Sequence, residues 1–250
     1  MIQVFTSVVN RPDFVILQDK LFKKFLKDDY RFHIVDDSID DTISEQFKAI
    51  CSESGFLYYK KPLRTIKMNP AQACADTVQW TYDNIISKEY NENIVFFCDS
   101  DMFLIDEFDI SEYMEDAIIA GLPQYRGHIT YMWNGIMFFN MPKIKDLNIN
   151  FSDGVVEGEM TDVGGHTYYY FKKNNIFMKE TDVQYPTHYN DIELQNEEVT
   201  KGYNFELHLD GKFLHYRAAT NWHSNWRGSQ DPLINKTKIF NQILENIFSE

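Results

Sequence analysis

The sequence predicts an α/β fold: one domain with a mixed, mainly parallel central sheet flanked by helices. Three observations carry this. Strand-like and helix-like segments alternate over the first hundred residues, the pattern of a doubly wound sheet. Ile94 to Cys98 is a continuous apolar run, which suits a strand covered on both faces. The chain has 250 residues, 44% of them hydrophobic, and no linker rich in Pro, Gly or Ser. That is enough for one large core that needs no staples.

Ile2 to Val9 reads as the first strand. Asn10-Arg11-Pro12-Asp13 punctuates it, and Phe14 to Leu26 has helical spacing through Phe14, Leu17, Leu21, Phe22 and Phe25. Phe32 to Val35 is a second strand ending in Asp36-Asp37. Ile43 to Cys51 is a helix closing near Gly55, and Phe56 to Tyr59 a third strand. Asn69-Pro70 starts the next helix, because Asn caps the first turn and Pro gives up an N–H that has no partner there anyway. Its expected buried stripe is Ala71, Cys74, Ala75, Val78, Tyr82, Ile85 and Ile86. The apolar run Ile94 to Cys98 then ends abruptly in Asp99-Ser100-Asp101. Further on, Ala117 to Gly121 and Gly135 to Asn140 read as strands and Asp162 to Lys173 as a helix. Asn204 to Tyr216 reads as a hairpin turned at Leu209-Asp210-Gly211-Lys212, and Ile239 to Phe248 as a terminal amphipathic helix.

Lys and Arg number 24 against 38 Asp and Glu, a formal charge of −14. Nucleic acid is therefore not the expected partner, since phosphate contacts need a basic face. A phosphate-bearing small ligand stays possible, because a bound divalent ion reverses the local field. Cys51, Cys74 and Cys98 are odd in number and widely spaced. They suggest neither a disulfide framework nor a zinc knuckle, but reduced thiols in a cytoplasmic protein, bacterial or in a virus-infected host cell. Met1 to Phe5 lacks the basic start of a signal peptide, and no apolar run approaches a membrane span.

The chemistry-bearing feature is the acidic pair. In open α/β sheets ligands sit beyond the carboxyl ends of the strands. Asp99 and Asp101 fall there, two residues apart. Two such carboxylates are costly to bury without a cation, and hard oxygen ligands suit Mn²⁺ or Mg²⁺. A solvated polar turn is the rival reading. Two other strand-end chemistries fit poorly. A dehalogenase-type phosphatase needs Thr where Phe103 stands, and a glycine-rich phosphate loop is absent from Thr6-Ser7-Val8-Val9-Asn10-Arg11.

Three motifs, in order, resemble the GT-A glycosyltransferases, and most closely their family 8 (glycogenin- and galactosyltransferase-like) group. They are Asp99-Ser100-Asp101 after its strand, Trp133-Asn134-Gly135-Ile136-Met137-Phe138-Phe139-Asn140, and Leu214-His215-Tyr216-Arg217-Ala218-Ala219-Thr220-Asn221-Trp222. The last is similar to a late His-x-x-Gly-x-x-Lys-Pro-Trp segment, from which it departs at Ala218 and Asn221. Thr161-Asp162-Val163-Gly164-Gly165 stands where these enzymes keep an acidic residue at a helix start.

The resemblance implies a metal-dependent transferase that moves a sugar from a nucleoside-diphosphate sugar, a UDP-sugar first, to a glycan or other hydroxyl acceptor. Residues 1–101 would form the nucleotide-binding half and 102–250 the donor-sugar and acceptor half. Asp99, Asp101 and His215 would hold Mn²⁺ or Mg²⁺. Thr6, Ser7, Val8, Arg11 and Asp36 would face the nucleoside, with Asp99 and Ser100 beside them. Asn134 and Gly135 would line the sugar, although Asn-Gly also makes a simple turn. Asp162 would be the carboxylate near the reacting centre, although it also reads as a plain helix cap. With Asn221 in the place of Lys, the diphosphate cation is expected from Arg217, with Arg227, Lys212 and Arg11 as other candidates. Tyr168-Tyr169-Tyr170, Trp222 and Trp226 could offer rings to a sugar. A non-catalytic module on the same scaffold and a metal-dependent nucleotidyltransferase remain alternatives. All of this requires Asp101 and His215 to share one cavity.

Overall fold

The apolar runs and helical stripes build a mixed α/β architecture with a central, mainly parallel sheet flanked by helices. The computed structural model describes residues 1–63, 68–200, 202–219 and 234–249. In chain order, β1 (Ile2–Val8), α1 (Pro12–Phe25), β2 (Tyr30–Asp36), α2 (Asp41–Ser54) and β3 (Leu57–Lys60) alternate. α3 (Pro70–Thr81) runs through a π turn at Tyr82–Ile86 into α4 (Ser87–Glu89), and β4 (Ile94–Asp99) and β5 (Met102–Leu104) follow. Next come α5 (Ile110–Tyr113), β6 (Ile119–Arg126), β7 (Ile129–Asn140), β8 (Gly154–Val156), β9 (Glu159–Thr161) and α6 (Thr167–Asn174). The described chain closes with β10 (Lys179–Glu180), β11 (Val183–Gln184), β12 (His188–Tyr189), β13 (Ile192–Glu193), α7 (Glu197–Thr200), β14 (Glu206–His208), β15 (Phe213–His215) and α8 (Ile234–Ser249).

Seven strands make the main sheet in the order β10-β6-β7-β4-β1-β2-β3. β1 pairs in parallel with both β2 and β4. The order therefore reverses between β1 and β4, and that switch point is where an open α/β sheet leaves a crevice at its carboxyl edge. Successive residues of these strands serve opposite faces, and both faces are apolar. Val4, Phe32, Phe96 and Phe138 meet Phe22 of α1 and Phe47 of α2 on one side. Phe5, Val35, Phe97 and Phe139 meet Val78, Tyr82 and Ile85 on the other. This two-sided burial is why the strands were readable as unbroken apolar runs.

A second sheet, β11-β14-β15-β5, stands beside the first. Its apolar side packs Phe103, Leu214 and Tyr216 against Phe14 and Leu21 of α1 and Phe240 and Ile243 of α8. The chain passes from one sheet to the other in the turn between β4 and β5, at Ser100 and Asp101. The main sheet nevertheless draws on both halves of the chain, since β6 and β7 extend it past β4.

Several expectations change. α3 begins at Asn69-Pro70 with a full capping box to Gln72. Its buried stripe, however, runs through Ala73, Ala75, Thr77, Val78 and Thr81, while Ala71 and Cys74 are only half-buried. The helix expected from Asp162 starts at Thr167, because the preceding Gly-Gly forms a packed loop (described below). β7 begins six residues before Gly135, so Asn134-Gly135 lies inside a strand and is not a turn. β5, β8 and β9 have three residues each and β10 to β13 two, too few to show a period.

Candidate functional site

A cleft of about 270 Å³ opens at the switch point. Ser7 and Val9 reach it from the end of β1, Asp37 from beyond β2, Cys74 and Thr77 from α3, and Asp99, Ser100 and Asp101 from the end of β4. Trp133 closes one side, and His215, Arg217 and Ala218 come from β15 and its continuation.

Pairing of β5 with β15 brings the mid-chain acids to the late histidine. Met102 lies opposite His215, and the Tyr216 N–H donates to the Asp101 carbonyl at 2.9 Å. Asp101 Oδ1 is then 3.5 Å from His215 Nε2, while Asp101 Oδ2 accepts from the Ala219 N–H at 3.2 Å. Behind His215, Nδ1 lies 2.9 Å from Glu206 Oε2. Glu206 Oε1 takes Arg217 Nη1 at 3.2 Å, and His208 Nε2 sits 3.5 Å from Oε2. The Trp133 ring stacks on His208 with centroids 6.0 Å apart and tilts over His215 at 5.5 Å.

The electrostatics are those of an acid pair facing one buried cation. Burial, then the Asp101 charge, pushes Asp99 up to about 7. Burial also works against the charged form of Asp101, but His215 outweighs it and holds that carboxyl low. Burial pulls His215 down; Asp101 and Glu206 overcome this and lift it to about 9. Opposite charges within a few ångströms dominate desolvation here. Burial, then Asp99, Asp162, Asp37 and Asp101, raises the Cys74 thiol well above its ordinary range. Asp37, Asp99 and Asp101 line the cleft with Cys74, which is kept a neutral thiol.

Among the described residues, the ligating atoms that lie close enough together for one ion are not those of the expected trio, although His215 is shared. Asp99, Asp101 and His215 face the cleft. Glu206, His208 and His215 each offer an atom within 4.8 Å of the others. A neutral imidazole has a single lone pair. A metal ion would have to displace the Nε2 proton of His215; with Nδ1–H held by Glu206, the neutral ring would then offer its lone pair from Nε2 to the cleft, the usual carboxylate–histidine support of a metal ligand. Glu206 and His208 were missed at the sequence level. The signal was present: a hairpin turned at 209–212 sets Glu206 opposite His215, with His208 two residues on along the same face.

The strand that carries Trp133 is irregular. β6 residues Gly121 and Pro123 pair with Met137 and Met132, so four residues of β7, Trp133 to Ile136, bulge opposite one. A Cβ at Gly135 would run into the Trp133 ring. Glycine thus leaves room for the indole that walls the cleft. Gly164 adopts φ +91°, and a Cβ there would strike the Met132 carbonyl and approach Asn134 Oδ1. The loop after Asp162 is therefore pressed onto the bulge beside Asn134. Asn134 is 1% exposed, and among the described residues neither its Oδ1 nor its Nδ2 has a hydrogen-bond partner. Asp162 is exposed, its N–H donating to the Tyr131 hydroxyl at 3.1 Å and its Oδ1 accepting from the Val163 N–H at 2.8 Å.

Other sequence candidates lie elsewhere. Thr6 is fully buried beneath Ser7, its hydroxyl without a partner, and the Val8 side chain is in the core. Arg11 pairs with Asp13 at 2.6 Å and covers the Phe14 ring at 3.6 Å. Asp36 is buried and accepts from the Ser38 N–H, the Tyr58 hydroxyl and Lys60; its neighbour Asp37 lines the cleft instead. Lys212 pairs with Asp106. Of the tyrosine run, Tyr170 is core, Tyr168 half-buried and Tyr169 exposed. Thr220, Asn221, Trp222, Trp226 and Arg227 lie outside the described residues.

Arg217 and Ala218 both take left-handed backbone, φ +57° each, a conformation that costs a side-chain-bearing residue about 1–2 kcal/mol. Buried Lys236 holds it by donating to the carbonyls of Tyr203, Tyr216 and Arg217. Ala218 is the position where the motif it resembles has Gly.

No protein-family model and no curated protein matches the chain. Solved structures similar to it include the galactosyltransferase LgtC in complex with donor and acceptor sugar analogs, at 12% identity and TM-score 0.37 over 56% of this chain and 58% of that one. An active-site mutant of LgtC gives 13% and 0.39 over 56% and 58%. A mannosyltransferase, PcManGT from Pyrobaculum calidifontis in complex with GDP-Man and Mn²⁺, gives 10% and 0.39 over 56% and 44%. The chain thus spans little more than half the length of the LgtC structures, and less of the third. Likeness of this extent carries no chemistry across; that rests on the cleft.

Proposed function

We propose that this chain is a metal-dependent glycosyltransferase that moves a sugar from a nucleoside-diphosphate sugar to a glycan or other hydroxyl acceptor, on a single GT-A domain of the family 8 kind. The observation that carries the reading is the convergence of Asp99, Asp101 and His215 on one cleft at the carboxyl edge of β1 and β4. Two carboxylates and an imidazole are a fitting donor set for Mn²⁺, and less so for all-oxygen Mg²⁺. Burial, then the Asp101 charge, raises Asp99 to about 7, and a divalent ion at the pair would hold it ionised. Held by Asp99, Asp101 and His215, such an ion would supply Lewis acidity toward the departing diphosphate.

The chain's own residues do the rest. Ser7 and Asp37 face the nucleoside, with Val9 as an apolar wall. Glu206 orients His215 and, by pairing with Arg217, steadies a guanidinium at the diphosphate end of the cleft. Asn134 keeps a buried, unpartnered amide next to Trp133 of the cleft wall, and donor-sugar hydroxyls that reached it would satisfy it. Asp162, exposed on the loop packed against the β7 bulge and without a cation partner among the described residues, would be the base or orienting carboxylate at the acceptor side. The reduced thiols suit a cytoplasmic enzyme.

Thermal unfolding with Mn²⁺ plus UDP, GDP or dTDP tests the reading. At least one nucleotide is expected to raise the midpoint only when the metal is present, with UDP tried first. Incubation with the matching nucleotide-sugar should release nucleoside diphosphate. Release of pyrophosphate would instead mean nucleotidyl transfer, and stabilisation by none of the nucleotides would sink the proposal.

A further inference from the structure

Helix α1 buries Phe14, Val15, Leu21 and Phe22, and in the middle of that apolar face it also buries Gln18, which is 0% exposed. Residues 14, 18 and 22 share one side of a helix, so Gln18 holds a position where Leu would bury apolar surface without a polar cost. Its amide nitrogen points at the acidic turn. Nε2 donates one hydrogen to the Asp99 carbonyl and the other to the Met102 carbonyl, each at 2.9 Å. The opposite end of the amide, Oε1, is buried without a partner. What the side chain contributes there is its two donors.

Those two carbonyls bracket Ser100 and Asp101. The first ends β4 in the main sheet, and the second opens β5 in the small one. One NH₂ group therefore ties together the two ends of the turn at which the chain changes sheets. We infer that Gln18 is a positioning residue for the Asp99–Asp101 turn. By clamping both flanking carbonyls it fixes the backbone that aims the two carboxylates at the cleft. The inference deepens, and rests on, the proposed use of those carboxylates as metal ligands. Groups that orient ligands without touching the ion commonly change metal affinity about 10–100-fold when removed.

The test is a Mn²⁺ titration followed by the loss of the free-ion spin-resonance signal, with UDP or GDP present. It compares the wild-type chain with Gln18→Met, which keeps length and removes both donors. Gln18→Glu, with the same shape and at most one donor, stands in if the methionine variant does not fold. A tenfold or greater rise in the Mn²⁺ dissociation constant is expected in a variant that still unfolds cooperatively. A purely structural glutamine would lower the melting temperature and leave Mn²⁺ affinity within twofold of wild type; that result overturns this inference alone. A wild-type chain that takes up no Mn²⁺ overturns the metal reading and this inference with it.

Discussion

The seven-stranded sheet buries His33 and the four-stranded sheet buries His208 and His215, and of these His33 and His215 are held in different charge states. His33, on β2 of the main sheet, stacks on Phe5 at 4.1 Å and meets Tyr90 at 4.8 Å. Its polar neighbour is Gln3, whose Oε1 lies 2.8 Å from Nε2. Burial, then Arg31, drives it down to about 3. His215, on β15, lies between Asp101 and Glu206 and is lifted to about 9. Burial penalises both charged forms; what differs is a carboxylate within reach. Around His33 the main sheet is thus a neutral scaffold built for packing. Around His215 the small sheet is a charged wall that presents the imidazole to the cleft with Glu206 behind it.

The largest effect is expected where the charged wall is cut. Asp101→Asn keeps the side chain's shape but removes the charge opposite His215 and a proposed ligand. Donor turnover should fall about 10²–10³-fold, read as nucleoside diphosphate released, while circular dichroism stays unchanged. Full activity in the variant would separate Asp101 from the chemistry.

Acid should next act on the neutral scaffold. The unfolded chain protonates His33 near its ordinary value of about 6.5, whereas the folded chain resists until about 3. Between these values the unfolded state binds more protons, so stability falls as pH drops through that window. The slope is up to about 1.4 kcal/mol per unit. Urea unfolding of wild type and His33→Gln from pH 7 to 4.5 should show wild type losing ground by about 2–3 kcal/mol relative to the variant. Parallel curves would mean that His33 takes up its proton in the folded chain.

A smaller effect is expected where the two regions meet. Gly135→Ala sets a methyl against the Trp133 ring, and overpacking of this kind costs about 1–3 kcal/mol. The indole should move off His208 and His215 and loosen the cleft wall. Urea midpoints read the first effect, and quenching of tryptophan fluorescence by nucleotide reads the second. An unchanged midpoint would show that the bulge has slack.

The metal candidates on the mid-chain turn and the late histidine were legible through short motifs in a fixed order. Glu206 and His208 were equally within reach, because the expected hairpin turn already sets their register, but no motif drew attention to them. Asp36, expected at the nucleoside, ends β2 and accepts from Tyr58 and Lys60, whereas Asp37, the next residue, meets the cleft; a one-residue difference of this kind leaves no mark in the sequence. Asn134-Gly135 leaves a turn open beside the sugar-lining reading, because that dipeptide usually marks a turn; here it lies inside β7 and the Gly admits an indole from its own strand.

From sequence alone the main sheet's first four strands and three long helices were determined. Their signals are local: unbroken apolar runs, helical stripes, an Asn-Pro start. Only the tertiary structure decided that β5 would cross to β15, that β7 would bulge at Trp133, and that His215 would be charged while His33 is not. Each of these depends on contacts between segments far apart in the chain. A pairing register or a carboxylate three ångströms away leaves no periodicity in the segment it acts on.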